Sequence, residues 1–237
     1  MGIFVPLRVF SQRFFCVRIN TELKSMRKAE ITALIIIVLS FILAVCFYPA
    51  LPEKMASHWN ASGEVDGYMP KFWGLFLMPF ISALMLLFFI WIPKVEPLKE
   101  NLEKFRDYYD EFVVLIILFL FYLYALTLFW NFGLRFSMPR FLSPAFAALF
   151  FYCGILIEKA KRNWFVGIRT PWTMTNDVVW EKTHKLGGKL FKAAALLSLY
   201  GLFVPGIAFF LVIVPAIFAA LVSFFYSYFE RSEKQGS

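Results

Sequence analysis

The chain has 237 residues, of which 60% are apolar, 17% are charged and 31 are phenylalanine. Ordinary soluble domains are about 45–50% apolar and about 25% charged, and one core of this size cannot hide so much apolar surface from water. The composition excludes a solvated disordered chain and argues against a soluble enzyme. In a membrane protein the net charge of +8 indicates contact with an anionic leaflet, so we expect no direct nucleic-acid partner.

Residues 1–30 form a basic segment in which Arg8, Arg13 and Arg18 interrupt an apolar stretch. No run between these arginines reaches the roughly 7–15 apolar residues of a signal-peptide core. Two interpretations stay open. Either translation starts at Met26, directly before Arg27 and a first span, or the segment lies on the inner leaflet as a basic interfacial element.

Stretches without Asp, Glu, Lys or Arg predict six membrane-spanning helices. A helix needs about 20 apolar residues to cross ~30 Å of hydrocarbon, and the chain offers four uncharged stretches of 17 to 23 residues and one of 37. The longest is broken by Val204-Pro205-Gly206, since proline lacks an amide donor and glycine permits a tight turn. The predicted helices are 31–49, 72–92, 112–131, 141–157, 188–204 and 207–228. The predicted fold is an all-α polytopic integral membrane protein.

The loop charges predict the orientation of these helices. Six crossings place both termini on one side, and that side carries 20 of the 24 Lys and Arg residues. By the positive-inside rule it is the cytoplasmic side. We therefore expect a multi-pass protein of the cell membrane with both termini in the cytoplasm.

The predicted outer loop, residues 50–71, is rich in turn-forming residues. Loops of this length in compact proteins are usually functional or disordered, and its Pro, Gly and Asp-Gly turn residues predict an ordered shape. We expect a polar cluster that binds a cation or a peptide amine, formed by His58, Asn60, Glu64 and Asp66. The alternative is that Asn60 and Asp66 cap turns while His58 is merely solvated.

The predicted cytoplasmic loop 159–189 contains a short amphipathic helix. Thr170 before Pro171 is expected to be extended, and the helix is predicted to run to Leu186 and to end at Gly187-Gly188. Its lysines share one face and its apolar residues another, which is typical of a helix lying in the membrane interface. It is either an interfacial anchor or a docking surface for a cytoplasmic protein or an anionic lipid.

These two loops together resemble a known family. The outer loop, with P-x5-HWN-x2-GEVDGY, resembles the domain of unknown function 1648 (DUF1648). GIRTPWT followed by TNDVVWEKTHKLGGKLF, between two predicted helices, is similar to the signature of the SdpI family. The resemblance implies protection of the cell against a secreted membrane-active peptide. It also implies that some members hold a small transcriptional regulator at the membrane.

The resemblance divides the chain and assigns recognition residues. The predicted units are the basic segment 1–30, a DUF1648-like unit 31–93, a cytoplasmic loop with the third helix 94–140, an SdpI-like region 141–229 and a cytoplasmic tail 230–237. In the inner loop the implied recognition residues are Arg169, Thr170, Pro171, Trp172, Asn176, Trp180 and His184. The glycines expected at structural turns are Gly63, Gly67, Gly167, Gly187 and Gly188.

The chain lacks common catalytic motifs, and no Asp, Glu, Lys, Arg or His lies deep inside a predicted span. Ion and proton pathways usually need such residues, and catalysis needs a paired acid–base arrangement. We therefore expect no enzyme activity, cofactor or metal. The first hypothesis is immunity or sensing by binding, with membrane lipids, an extracellular peptide toxin and a cytoplasmic transcriptional regulator as partners. The alternatives are a small transporter or channel for an amphipathic solute and an enzyme acting on lipid.

Overall fold

The computed structural model describes residues 27–232, so the predictions for residues 1–26 and for most of the tail lie outside the described residues. The helices are α1 Lys28–Phe47, α2 Lys71–Val95, α3 Lys99–Glu103, α4 Arg106–Asn131, α5 Met138–Lys159, α6 Pro171–Thr175, α7 Asp177–Tyr200 and α8 Ala208–Ser232. Two strands, β1 Lys54–Trp59 and β2 Val65–Pro70, lie between α1 and α2, and a 3-10 turn, Pro205–Ile207, precedes α8.

Five helices within this range are long and apolar enough to cross a membrane, namely α1, α2, α4, α5 and α8 with its 3-10 turn. Many large apolar side chains on their outer faces are exposed, including Leu84, Leu87 and Phe218. Such faces suit contact with lipid rather than water. The prediction of an all-α polytopic membrane protein is confirmed, while the number of crossings and their orientation stay predictions.

The predicted end of a helix at Gly187-Gly188 is wrong, because α7 runs without a break from Asp177 to Tyr200. Both glycines are buried where helices pack closely. A Cβ atom on Gly188 would lie 2.2 Å from Cγ of Glu158, and one on Gly154 would lie 2.7 Å from the carbonyl oxygen of Gly188. The glycines therefore allow α5 and α7 to approach closely, as small residues do in membrane helices.

The separate interfacial helix and the short fifth span are thus one helix. Its 24 residues extend about 36 Å at 1.5 Å per residue, which exceeds the hydrocarbon core. Its four lysines, which lie between residues 182 and 192, keep it outside the five candidate spans. One of them, Lys192, donates to Oε2 of Glu158 at 2.6 Å, so an ion pair links α7 to α5 beside the glycine contact.

The long helices form two three-helix groups. The first consists of α1, α2 and α4 and the second of α5, α7 and α8, and contacts between α4 and α5 join them. One end of the bundle carries β1 and β2 and is called the hairpin end. The other carries α3, α6 and the loop 160–170 and is called the motif end.

Contacts at both ends show that α7 runs antiparallel to its two neighbours. Near the start of α5, Nε of Arg140 donates to the carbonyl oxygen of Leu202, just after α7, at 2.9 Å. Near the start of α7, Nζ of Lys182 lies 2.5 Å from Oε1 of Glu230 near the end of α8. The helix therefore extends from the motif end to the hairpin end.

The outer loop is ordered as an antiparallel β-hairpin, which the sequence predicted only as a series of turns. Lys54 pairs with Pro70 and Ala56 with Tyr68, and the register is irregular next to His58. Asn131 at the end of α4 fixes this hairpin. Its Oδ1 accepts from the Ala56 amide at 2.8 Å, and its Nδ2 donates to the Ala56 carbonyl at 3.0 Å. The hairpin is thereby held on the first helix group.

Candidate functional site

The tip of the hairpin is shaped by Asn60. Its Oδ1 accepts from the amides of Ser62 at 3.0 Å and Glu64 at 2.9 Å, and its Nδ2 donates to Oε2 of Glu64 at 3.2 Å. Gly63 has φ of +83°, which glycine adopts at little cost. Asn60 and Glu64 therefore form the turn, which agrees with the turn-capping alternative for Asn60.

His58 of β1 and Asp66 of β2 form an exposed pair across the hairpin within the predicted outer cluster. Nδ1 of His58 lies 2.5 Å from Oδ1 of Asp66, with side-chain exposures of 71% and 46%. Asp66 thus pairs across the hairpin and does not cap a turn. Gly67 stands opposite His58, and a Cβ there would lie 2.8 Å from Cβ of His58. This glycine permits close approach of the strands.

A cavity of about 270 Å³ lies beneath the hairpin. Residues 57–60 line one side, and apolar residues at the beginnings of α5 and α8, including Leu142 and Val212, line the other. Trp59 lines this cavity, and its indole N–H is buried with no acceptor among the described residues. A buried donor without a partner carries an energetic cost. The hairpin therefore combines an exposed polar pair with an apolar cavity and an unpaired donor.

Two buried polar side chains hold the loop 160–170, one from within the loop and one from a distant part of the chain. Asn163 is fully buried, and its Oδ1 accepts from the amides of Phe165 at 2.9 Å and Val166 at 2.6 Å. Glu96, just after α2, is also fully buried and accepts from the amide of Trp164 at 3.0 Å. Sequence reasoning missed both residues. The available signal for Glu96 was a lone carboxylate directly after an apolar span.

His184 and Trp180 position this loop from α7. Nε2 of His184 accepts from the amide of Ile168 at 2.9 Å, and Nδ1 donates to the carbonyl of Trp180 at 2.7 Å. The Trp180 ring stacks on His184 with centroids 3.9 Å apart, and its Nε1 donates to the carbonyl of Ala160 at 2.8 Å. Both side chains are buried. They bind the protein's own backbone and not a surface partner.

Gly167 makes the contact with His184 possible. Its φ is +115°, and a Cβ atom there would lie 2.3 Å from Nε2 of His184. His184 lies outside the five candidate spans, and burial lowers its pKa to about 4. The neutral imidazole agrees with Nε2 accepting a hydrogen bond, since a protonated ring has no acceptor.

The segment Thr170 to Asn176 caps two helices. Thr170 is extended and its hydroxyl accepts from the amide of Thr173, while Pro171 is the first residue of α6. The side chain of Asn176 accepts from the amides of Val178 at 2.9 Å and Val179 at 3.3 Å at the start of α7. The half-buried Trp172 packs against Tyr228 of α8, with ring centroids 5.1 Å apart. Thr173, which was not among the predicted recognition residues, is fully buried here.

Among the predicted inner-loop residues, Arg169 and Pro171 are exposed. The guanidinium of Arg169 donates to the carbonyl oxygen of Trp164, which positions the charge at the edge of the loop. Across residues 27–232, no three His, Cys, Asp or Glu side chains are grouped to hold a metal ion. Arg169 is thus an exposed charge at the edge of the loop 160–170.

Comparison with known proteins matches both loops. The DUF1648 model, a domain of unknown function, matches residues 35–83, and the model of the SdpI/YfhL protein family matches residues 159–227. The chain is 24% identical over 204 residues to "Immunity protein SdpI" of Bacillus subtilis (strain 168), which covers 84% of this chain and 96% of that protein. No solved structure matches the chain.

Proposed function

We propose that this chain, which matches the DUF1648 model over residues 35–83 and the SdpI/YfhL protein family model over residues 159–227, is an immunity protein. It protects its cell against a secreted membrane-active peptide by binding that peptide without turnover. The observation that carries the proposal is the similarity to Immunity protein SdpI over 84% of the chain, which includes the hairpin and the loop 160–170.

The hairpin is the surface that we assign to the peptide. The His58–Asp66 pair offers donor and acceptor groups to a peptide backbone or amine, and the adjacent cavity of about 270 Å³ has room for an apolar side chain. The unpaired Trp59 indole N–H would complete a hydrogen bond to a carbonyl oxygen there. Apolar pockets with a few placed polar groups are typical of ligand sites.

The hairpin end faces outward in this proposal. It carries Lys54, Lys71, Arg135 and Arg140, against 20 basic residues on the predicted cytoplasmic side. A peptide secreted by neighbouring cells therefore meets the hairpin first. The termini and the motif end lie in the cytoplasm.

The experiment expresses the chain in a Bacillus subtilis strain that lacks Immunity protein SdpI and challenges it with culture fluid of the parent strain. We expect the intact chain to raise survival, and His58→Ala with Asp66→Ala to remove this gain. If the His58–Asp66 pair contributes ~1.4 kcal/mol to the free energy of binding, its removal lowers the affinity for the peptide about tenfold. Lys54→Ala, an exposed change on the same strand, is the matched control. Failure of the intact chain to protect would contradict immunity toward this toxin.

A second proposed activity is retention of a cytoplasmic transcriptional regulator at the motif end. The exposed Arg169 supports it, because a planar guanidinium binds carboxylates bidentately and is frequent in interfaces. Arg169→Lys keeps the charge but not that geometry. We expect this change to weaken co-purification of a regulator while protection at the hairpin end is retained.

A further inference from the structure

The two three-helix groups are separated at the motif end by a cavity of about 640 Å³. This volume lies within the roughly 300–1,000 Å³ of small-molecule sites. Phe88 of α2 and Phe112 of α4 line it from the first group, and Phe191 of α7 and Phe224 of α8 line it from the second. The loop 160–170 contributes residues 165–170 to the lining.

The walls of this cavity are apolar, and Arg169 is the one charged residue that lines it within the described part of the chain. Its guanidinium is exposed and is fixed by the carbonyl of Trp164. An apolar chamber with a single cation at its edge suits a molecule with one negative group and an apolar tail. It suits a fully polar anion or a neutral hydrocarbon less well.

The position of the cavity identifies the source of such a molecule. Ile92 lies near the end of α2, Tyr109 near the start of α4 and Leu156 near the end of α5, and all three line the cavity. These are the terminal turns of membrane-crossing helices, where the hydrocarbon core meets the headgroups. A phospholipid at this depth has its phosphate level with the helix ends and its acyl chains beside the walls.

We propose that the cavity holds an acyl chain of an anionic phospholipid whose phosphate binds Arg169. The acyl chain fills space whose apolar lining would otherwise lack packing partners. Guanidinium binds phosphate through charge-assisted hydrogen bonds. The lipid contacts both helix groups, so it links the DUF1648 part of the protein to the SdpI/YfhL part. This inference does not depend on the immunity proposal, because lipid binding is measured without toxin.

The cavity contains its own reporter, since Cys153 of α5 lines it. In a Cys16→Ser, Cys46→Ser protein, Cys153 is the cysteine that remains. Its rate of maleimide labelling is measured in a neutral detergent with added phosphatidylglycerol or phosphatidylcholine of the same acyl chains. We expect phosphatidylglycerol to slow labelling about fivefold more than phosphatidylcholine, as about 1 kcal/mol per basic residue near an anionic surface implies.

Two variants and one control complete the experiment. Arg169→Gln removes the preference for phosphatidylglycerol, while Arg140→Gln at the hairpin end leaves it unchanged. Ala220→Phe, on the cavity wall, lowers protection by both lipids. Equal protection by the two lipids, or an unchanged preference in Arg169→Gln, overturns the proposal.

Native mass spectrometry of the protein extracted from membranes distinguishes the remaining occupants. A phospholipid-sized adduct on the intact protein, reduced in Arg169→Gln, supports the proposal. A peptide-sized adduct that depends on Arg169 contradicts it and assigns the cavity to a protein partner.

Discussion

The tip of the hairpin and the loop 160–170 both contain an asparagine that bonds to backbone amides, but the two asparagines serve different environments. Asn60 bonds to residues at most four positions away and the tip stays in contact with solvent. Asn163 is fully buried, and the loop around it also depends on Glu96, which is 68 positions from Trp164. Exposed polar residues near the tip are therefore accessible to a ligand, while most of the polar residues at the motif end bind the protein's own backbone.

The orientation of these two regions gives the largest expected effect. If the hairpin faces outward and the motif end faces the cytoplasm, a reporter active only outside the cytoplasm works when fused after Gly63. The same reporter fails when fused after Asn101 or at Ser237. The split of 20 against 4 basic residues is the reason. The reverse pattern would remove the assignment of toxin to the hairpin.

The sequence predicted the long apolar helices well, because the length of an uncharged run can be compared directly with the thickness of the hydrocarbon core. The break at Val204-Pro205-Gly206 is confirmed as the turn between α7 and α8. The end of a helix at Gly187-Gly188 was wrong, since the same residue type ends some helices and lets others pack closely. Which of these applies depends on Glu158 and Gly154 of another helix, and sequence spacing does not contain that information.

The polar sites show the same limit. The tip of the hairpin was partly predictable, because Asn60 and Gly63 act within one turn. The buried roles of Glu96 and Asn163 were not, since their partners lie on other segments or become buried only after the helices assemble. Trp180 and His184 were predicted as recognition residues from the family resemblance, and only the structure shows that both bind the backbone of the protein itself.

Two glycines with positive φ test how tightly the motif end is packed. Gly167 and Gly133 have φ of +115° and +101°, but a Cβ on Gly167 meets His184 and a Cβ on Gly133 meets nothing within 4 Å. Alanine at either position costs about 1–2 kcal/mol for the backbone, and overpacking adds about 1–3 kcal/mol at Gly167. We expect Gly167→Ala to lower the unfolding temperature in detergent well below that of Gly133→Ala. An equal decrease in unfolding temperature in both variants would show that His184 moves aside for the added methyl group at little energetic cost.

The two asparagines provide a further matched pair. Asn163→Ala leaves buried amides without acceptors, at about 1–3 kcal/mol for each, whereas water replaces Asn60 in Asn60→Ala. We expect a loss of about 2–6 kcal/mol from the first change and under about 1.5 kcal/mol from the second, as measured by denaturant unfolding in micelles. Similar losses of unfolding free energy in both variants would mean that water reaches the amides of the loop 160–170. The two asparagines would then not differ in environment.

The smallest expected effect is a pH dependence that belongs to His184. Its pKa is lowered from 6.5 to about 4 by burial, so the unfolded chain binds more protons than the folded protein between these values. The contribution of His184 to the free energy of unfolding is therefore fully present above about pH 6.5 and is lost as the pH drops toward 4. At pH 5 the loss reaches about 2 kcal/mol, since each pKa unit corresponds to ~1.4 kcal/mol.

The pH dependence is separated from that of the carboxylates by substitution. His184→Gln retains an amide that can both donate and accept, so the bonds to Trp180 and Ile168 have a replacement, but it does not titrate. The difference in unfolding free energy between pH 7 and pH 5 should shrink by about 2 kcal/mol in this variant. If His184→Gln keeps the full pH dependence, protonation of His184 does not destabilise the fold. The loop 160–170 would then accommodate a charged imidazole, although the hydrogen bond from Ile168 requires a neutral one.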